Sequence, residues 1–562
     1  MANIFNSIRL KRPKRNVFNL SYENKLTMNM GELVPIMCMP IVPGDKFRVN
    51  TEALVRLAPL VAPMMHRVNV YTHYFFVPNR LVWNQWEDFI TKGVDGEDVP
   101  ILPYLRLLEN ISLIDSQAKI AHYFGDSSLW DYLGLPSLAG VGSVSYSALQ
   151  DRNGVVVPTD FRVSALPFRA YQLIYNEYYR DQNLTDPVQF SLDAGPVTGV
   201  ELAQLLSLRR RSWEKDYFTS ALPWLQRGPE VTVPINGGQT GLDVYYESPG
   251  TNKGQVWRDQ LGRNWNPGAV YDPTLIAYPG QKPDQGQYVA TKVGGNANDN
   301  RAPQLDPNGT LKVDVDEMGV SIQDLRTSNA LQRWFERNAR GGSRYIEQIL
   351  AHFGVRSSDA RLQRPQFLGG GKMPIAVSEV LQTSSTNATS PQANMAGHGI
   401  SAGVNNGFKH YFEEHGYVIG LMSIMPRTGY QQGVPRDFTK FDNMDFYFPE
   451  FAHLSEQEIK NQELYVSNDP TYNEGTFGYT PRYAEYKYHE SEAHGDFRGS
   501  MSFWHLNRIF NDKPNLNTTF VECNPSNRVF ATAGIPDDKF WVQIYQDVKA
   551  LRLMPKYGTP ML

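Results

Sequence analysis

Three short stretches carry residue types that could do chemistry, and each fails at a residue its chemistry requires. His489-Glu490-Ser491-Glu492-Ala493-His494 has the look of a zinc-protease helix. That motif needs its second histidine four residues after the first, so that both imidazoles share one helical face. Ala493 holds that place, and His494 is one residue too far, rotated by about a further 100° on a helix. The segment reads instead as a polar strand-to-loop connection. Gly369-Gly370-Gly371-Lys372 invites a phosphate-loop reading, which requires a glycine five residues before Gly371 and a hydroxyl residue after the lysine. Gln366 and Met373 stand there, so the triplet reads as a hinge before a strand at Ile375. Gly397-His398-Gly399-Ile400-Ser401-Ala402 fits a dinucleotide fingerprint loosely. It sits in a stretch rich in Ser, Thr, Asn, Gly and Ala, Thr383 to Asn406, which reads as flexible, and the strand–turn–helix context is missing. There is no Gly-x-Ser-x-Gly elbow, no metal-spaced cysteine set and no calcium loop. The sequence therefore nominates no catalytic residue, no cofactor site and no metal site, and reads as a non-enzyme.

Charge is the other chemical resource. Arg9, Lys11, Arg12, Lys14 and Arg15 stand close together with no acid before Glu23. Basic blocks of this kind are usually arms, and they often touch nucleic acid. A second run, Arg209-Arg210-Arg211, falls at the end of a helical pattern, where cations offset the negative end of the helix dipole or hold phosphate. The chain as a whole has 562 residues and a formal net charge of −4, which argues against a uniform coat of nucleic acid or anionic lipid. Charged residues make up only 20% while Tyr, Phe and Trp number 30, 28 and 10, a balance that suits surfaces covered by other subunits. Cys38 and Cys523 are the only cysteines, so no disulfide framework is expected and a reducing cytoplasm suits the chain. The first 20 residues lack the continuous apolar run of a secretion signal, and no run approaches the 18 apolar residues of a membrane span.

The elements that would position these residues are mainly strands. From His66 to Val77 a period of two places Val68, Val70, Thr72, Tyr74 and Phe76 on one face, closed by Pro78. Leu33 to Val42 is apolar but broken by prolines, and Ile375 to Thr383, Tyr417 to Met425, Ala484 to His489 and Phe540 to Leu553 are further strand candidates. In the last, Phe540, Val542, Ile544 and Val548 alternate with polar positions. These strands lie hundreds of residues apart, the pattern of a sandwich with long inserted loops. The excursions carry helical spacing at Ile101 to Phe124, Phe168 to Asn183, Val200 to Trp213, Asp324 to Asn338 and Arg344 to Phe353. Phe168, Tyr171, Leu173, Ile174, Tyr175 and Tyr178 make an aromatic stripe of the kind that packs rather than binds.

Residues 228 to 310 differ from the rest: 22 of these 83 are Gly or Pro, against 82 of 562 in the chain. The window reads as a turn-rich surface insertion with short strands such as Val231 to Ile235 and Leu242 to Tyr246. Its Trp257, Trp265 and Tyr271 are candidate receptor contacts, because flat aromatic faces stack on ligands. A glycan-binding or glycan-hydrolysing β-sandwich is the alternative class for such a chain.

Four segments then point to one family. "NMGELVPIMCMPIVPGDKFRVN", within Met28 to Pro78, "NALQRWFERNARGGSRYIEQILAHFGV" at Asn329 to Val355, "HGYVIGLMSIMPRTGYQQG" at His415 to Gly433 and "PRYAEYKYHESEAHGDFRGSMSFWHL" at Pro481 to Leu506 closely resemble the major capsid protein of gokushoviruses, the Microviridae subfamily of small tailless bacteriophages. The resemblance implies a single eight-stranded viral jelly roll with long, partly helical insertions, and sixty copies in a T=1 icosahedral shell. It implies a circular single-stranded DNA genome inside and assembly in the host bacterial cytoplasm into a virion. The implied partners are copies of the chain at two-, three- and fivefold axes, packaged single-stranded DNA, a small basic DNA-packaging protein, an assembly scaffold and a host surface receptor, with no membrane insertion. The expected division is a basic arm at 1–27, a first part of the jelly roll at 28–227, a threefold protrusion at 228–310 and the remainder of the roll at 311–562. On this reading Arg9, Lys11, Arg12, Lys14 and Arg15 are the DNA-contacting residues.

Overall fold

The computed structural model describes residues 15–93, 97–106, 117–139, 150–151, 162–228, 322–341, 363–381, 395–453 and 456–557, together with four short strands between 244 and 313. Eight strands make its frame: β1 (Tyr22–Met28), β2 (Val34–Ile41), β3 (Lys46–Leu57), β4 (Val68–Pro78), β5 (Gln366–Pro374), β6 (Met395–Tyr411), β7 (Gly416–Pro426) and β8 (Phe540–Arg552). They pair in two antiparallel sheets, β1-β8-β3-β6 and β2-β7-β4-β5. Neighbours in each sheet are far apart in sequence, and every step along the chain except β4 to β5 switches sheets, which is the jelly-roll arrangement. Two edge strands extend the first sheet: Asn16–Asn19 beside β8 and Ala376–Leu381 beside β6.

Burial follows alternation. In β8, Phe540, Val542, Ile544, Gln546, Val548 and Ala550 face the interior, while Trp541, Gln543, Tyr545 and Lys549 face out. β3 repeats this with Phe47, Val49, Thr51, Ala53, Val55 and Leu57 inside. Each buried Val, Ile or Phe contributes about 1.5–3 kcal/mol of transfer free energy. The polar members bond one another: the Thr51 hydroxyl donates to Gln546 Oε1 at 2.7 Å, and the Tyr74 hydroxyl to the same oxygen at 3.2 Å. From the opposing sheet Val68, Val70, Tyr74, Phe76, Val418, Met422 and Ile424 close this core. The period-two face expected from His66 to Val77 is thus the inner face of β4.

In the second sheet, β4 and β7 are buried on both faces. Phe75, Val77, Ile419 and Leu421 point away from the sandwich and pack under a helical layer inserted after β4. That layer includes α1 (Gln117–Phe124), α2 (Leu129–Tyr132), α3 (Leu166–Ile174) and α4 (Gly199–Leu206). The aromatic stripe does what its spacing suggests: Phe168, Tyr171, Ile174 and Tyr175 are buried in this layer, and Tyr178 is exposed with its hydroxyl donating to Pro365 O. Prolines fall where they are tolerated: Pro35 and Pro40 lie in β2, an edge strand whose free side needs no ladder donor.

Several expectations need correction. Thr383 to Asn406 is not simply flexible: from Met395 it is the first part of β6, a 17-residue strand. The glycines that suggested flexibility permit close approach instead, since a Cβ on Gly397 would lie 2.6 Å from Ala62 O. The Gly369–Gly371 triplet is no hinge either. It lies inside β5, where a Cβ on Gly370 would meet Thr72 O at 2.2 Å. Ala484–Tyr486 is a 3₁₀ turn rather than a strand. Within Ile101 to Phe124, Tyr104–Arg106 is a short strand and only Gln117–Phe124 is described as helix. The helix expected to reach Trp213 stops at Leu206, and that expected to reach Asn183 gives way to a π turn, Tyr175–Tyr179. The helix expected at Asp324 to Asn338 spans Ile322–Gly341; the one expected at Arg344 to Phe353 lies outside the described residues.

The chain divides into two compact units, 1–225 with 338–562, and 226–337. The second contains the strand pairs Val244–Tyr246 with Leu311–Val313 and Trp257–Arg258 with Gln304–Leu305, and most of the long helix.

Candidate functional site

The two groups of residues nominated from sequence meet different fates. Of the basic arm, Arg15 is described, and it is exposed. Its guanidinium lies 5.7 Å over the ring of Tyr411, at the end of β6. Arg9, Lys11, Arg12 and Lys14 lie outside the described residues. Trp257 is seen as backbone, paired with Leu305 across a two-residue ladder, while Trp265, Tyr271 and the strand expected at Val231 to Ile235 lie outside the described residues.

The arginine triplet is structural. After α4 ends, the chain runs extended, and each guanidinium finds its own partner. Arg209 donates to Gln172 Oε1 at 2.8 Å and Gln204 O at 2.7 Å. Arg210 donates to Met30 O and to Glu32 Oε1, at 2.9 and 3.0 Å. Arg211 donates to Ser423 Oγ and stacks 4.9 Å from the Tyr71 ring. These residues rivet the helical layer to the β1–β2 connection and to β7.

The His489–His494 segment borders a cavity of about 340 Å³ lined by Tyr217, Tyr430, Glu463, Glu490, His494 and Arg498. Glu463 and the nearby Asp216 are engaged in holding the fold, whereas both Glu490 carboxylate oxygens are buried without a hydrogen-bond partner among the described residues. Glu463 accepts from the Tyr217 hydroxyl and from Arg436, at 2.8 and 2.9 Å. Asp216 accepts from the Tyr430 hydroxyl at 2.8 Å and caps its own turn. Burial, with the Asp216 charge adding to it, pushes the Glu490 carboxyl up to about 8. His494 instead faces Glu492 at 3.0 Å. No three His, Cys, Asp or Glu side chains are grouped to hold a metal among the described residues.

What sequence reading missed is an apolar surface in the insertion between β7 and β8. Phe438 is 75% exposed and Phe441 91%, and Met444, Phe446, Tyr447 and Phe448 are also exposed. The loop that carries them is held firmly. Arg436 bridges Glu463, Lys440 pairs with Asp437 at 2.6 Å and lies 3.9 Å over the Tyr486 ring, and Asp442 and Asp445 form a capping box. A run of aromatics fixed in place by polar anchors, yet left bare, is the kind of surface that marks interaction sites. The available signal was aromatic density without any strand or helix period between 438 and 451.

A jelly roll with long insertions and a fixed, bare aromatic surface fits a structural subunit of the shell-forming class. The comparisons say which one: the family model for the capsid protein (F protein) matches residues 6–562, and this chain belongs to that family. It is 35% identical to capsid protein VP1 of Chlamydia phage 1, across 100% of this chain and 98% of that one. It is 35% identical to capsid protein VP1 of Bdellovibrio phage phiMH2K over 97% of this chain and 95% of the relative. Against capsid protein VP1 of Spiroplasma virus 4 the identity is 30%, over 98% and 95%. The resemblance drawn from four segments therefore extends along the whole chain. The protein is a structural capsid component of the virion and assembles with copies of itself; it is not an enzyme.

Proposed function

We propose that the chain closes a T=1 icosahedral shell around a circular single-stranded DNA genome, with the insertion at 228–310 turned outward and the basic arm turned inward; the arm, expected at 1–27, gives way to sheet strands from Asn16 onward. The jelly roll, whose strands run from Tyr22 to Pro78 and again from Gln366 to Arg552, forms the wall. The insertion meets its symmetry mates at the threefold axes and carries the host receptor contact, with Trp257, Trp265 and Tyr271 at its tips. A small basic packaging protein and a scaffold act during assembly. The observation that carries the shell reading is the fixed, bare aromatic loop on a chain whose own core is already closed. Its occupant is a neighbouring copy.

The decisive experiment separates folding from assembly. Replacing Phe438 and Phe441 by serine should leave circular dichroism and melting temperature of the unassembled chain unchanged, because neither ring is buried, while particles vanish from electron micrographs. Normal particles from this variant would show that the loop is not a subunit contact. Exchanging 228–310 for a short Gly/Ser linker should spare particles and abolish adsorption to host cells; full adsorption would assign attachment elsewhere.

A further inference from the structure

The outward face of the first sheet carries an arrangement that a free protein surface does not favour. In the register of that sheet Lys409 on β6 lies directly opposite Arg48 on β3, and Arg48 lies directly opposite Lys549 on β8. Three cations thus stand side by side across three adjacent strands. One step along the same face, Lys46 sits between Tyr411 and Leu551. All four cations are exposed, and Arg15 reaches the same corner over the Tyr411 ring. Side chains directly opposite in an antiparallel pair lie about 4.5–5.5 Å apart at Cβ, and like charges there destabilise the sheet.

Local acids do not resolve this. Asp547 pairs with Lys549 at 3.8 Å, and Asp45 is taken by Arg552 at 3.2 Å. Glu52 and Glu23 flank Tyr545 further along the face, where they bound the cationic corner rather than neutralise it. Lys46, Arg48 and Lys409 have no ion-pair partner among the described residues. The corner therefore holds five cations, counting Arg15, against the single carboxylate of Asp547. Such repulsion is tolerated when a polyanion is the normal occupant. A chain with net charge −4 has no general excess of cations to spread here by chance.

We propose that Lys46, Arg48, Lys409 and Lys549 form a phosphate track for single-stranded DNA, on the sheet face from which the basic arm departs. The proposal rests on the genome-enclosing reading above and deepens it. The sheet offers a rigid row of charge where the arm offers loose charge. Tyr411 beside it presents an aromatic ring of the kind on which unpaired bases stack. Contacts of this sort track the backbone and read no sequence.

Two full-length variants, each with a thymidine oligonucleotide as probe, test it: K46Q/R48Q/K409Q/K549Q for the face, and alanine at Arg9, Lys11, Arg12, Lys14 and Arg15 for the arm. For single strands each neutralised phosphate contributes about 0.7 to the salt slope, so the face variant should lose about 2.8 and the arm variant at most about 3.5. The face variant should still form particles, with less DNA inside them. Without DNA it should also melt higher than the parent at low salt, the difference closing as salt rises. A slope lost with the arm but kept with the face would overturn the track and leave genome enclosure standing. Slopes unchanged in both would overturn genome binding by this chain and the track with it. If the face variant keeps its slope but forms no particles, the row serves an acidic surface of a second copy, and the proposal fails.

Discussion

The two sheets of the sandwich are built from the same kind of strand but meet different neighbours on their outer sides. β4 and β7 have apolar residues on both faces, because one face closes the sandwich and the other receives α3 and the aromatic stripe. β3 and β8 alternate strictly, because their outer face is bare. Covered sheets read as continuous apolar runs and half-covered ones as alternation. The covered side is held by burial and by arginine rivets. The bare side keeps charge that its own fold has no use for. Burial concentrates on the first side and exposed like charge on the second.

The contrast is broken most severely by opening the covered side. Phe75→Ala should destabilise the unassembled chain by about 3–5 kcal/mol in urea unfolding, since Phe75 is wholly buried between β4 and the helical layer. Tyr545→Ala, on the bare face, should change it by less than about 0.5 kcal/mol.

A pH titration sharpens the same comparison at smaller amplitude. On the covered side, the His73 ring bonds the Tyr179 hydroxyl at 2.8 Å, and burial, aided by the Arg211 charge, pushes its pKa down to about 4. Its unfolded value is about 6.5. The folded state therefore binds fewer protons between these values, and the histidine's contribution is complete above pH 6.5 and lost as pH falls toward 4. H73F should flatten that part of the stability profile; an unchanged acid limb would mean that His73 is not held neutral.

The smallest effect has the opposite sign. Lys409→Gln on the bare face should stabilise the unassembled chain by about 0.2–1 kcal/mol at low salt by relieving the row of like charges. Destabilisation would show that Lys409 has a structural partner after all.

Much of this architecture is legible in the sequence, for reasons tied to solvent exposure. β4, β7 and β8 announce themselves because burial demands apolar residues at fixed period. The same alternation runs through Lys46–Leu57, although Thr51 and Ala53 weaken it. β6 is illegible: Gly397, Gly399 and Gly403 look like a flexible tract, and only the packed neighbours explain why side chains are missing there, the Ala62 carbonyl at the first and the Leu57 and Met373 side chains at the other two. The arginine triplet looks like one feature and is three, since the partners Gln172, Glu32 and Ser423 come from separate segments. The aromatic loop is visible as composition, but whether its rings are core or surface depends on what they pack against.

The sequence alone determined the family, the β-rich class, the absence of a complete catalytic motif and the inward or outward sense of residues in the best-marked strands, because local pattern and motif suffice for these. The cationic row was decided only by tertiary structure. Lys46 and Arg48 are neighbours in the chain, but Lys409 and Lys549 arrive from strands hundreds of residues away. What aligns them is strand register, and a slip of one residue in β6 or β8 would turn its lysine to the other face and dissolve the row. That register is set by the whole buried core, with Phe47, Val49, Phe408 and Val548 packed on the far side of the same sheet.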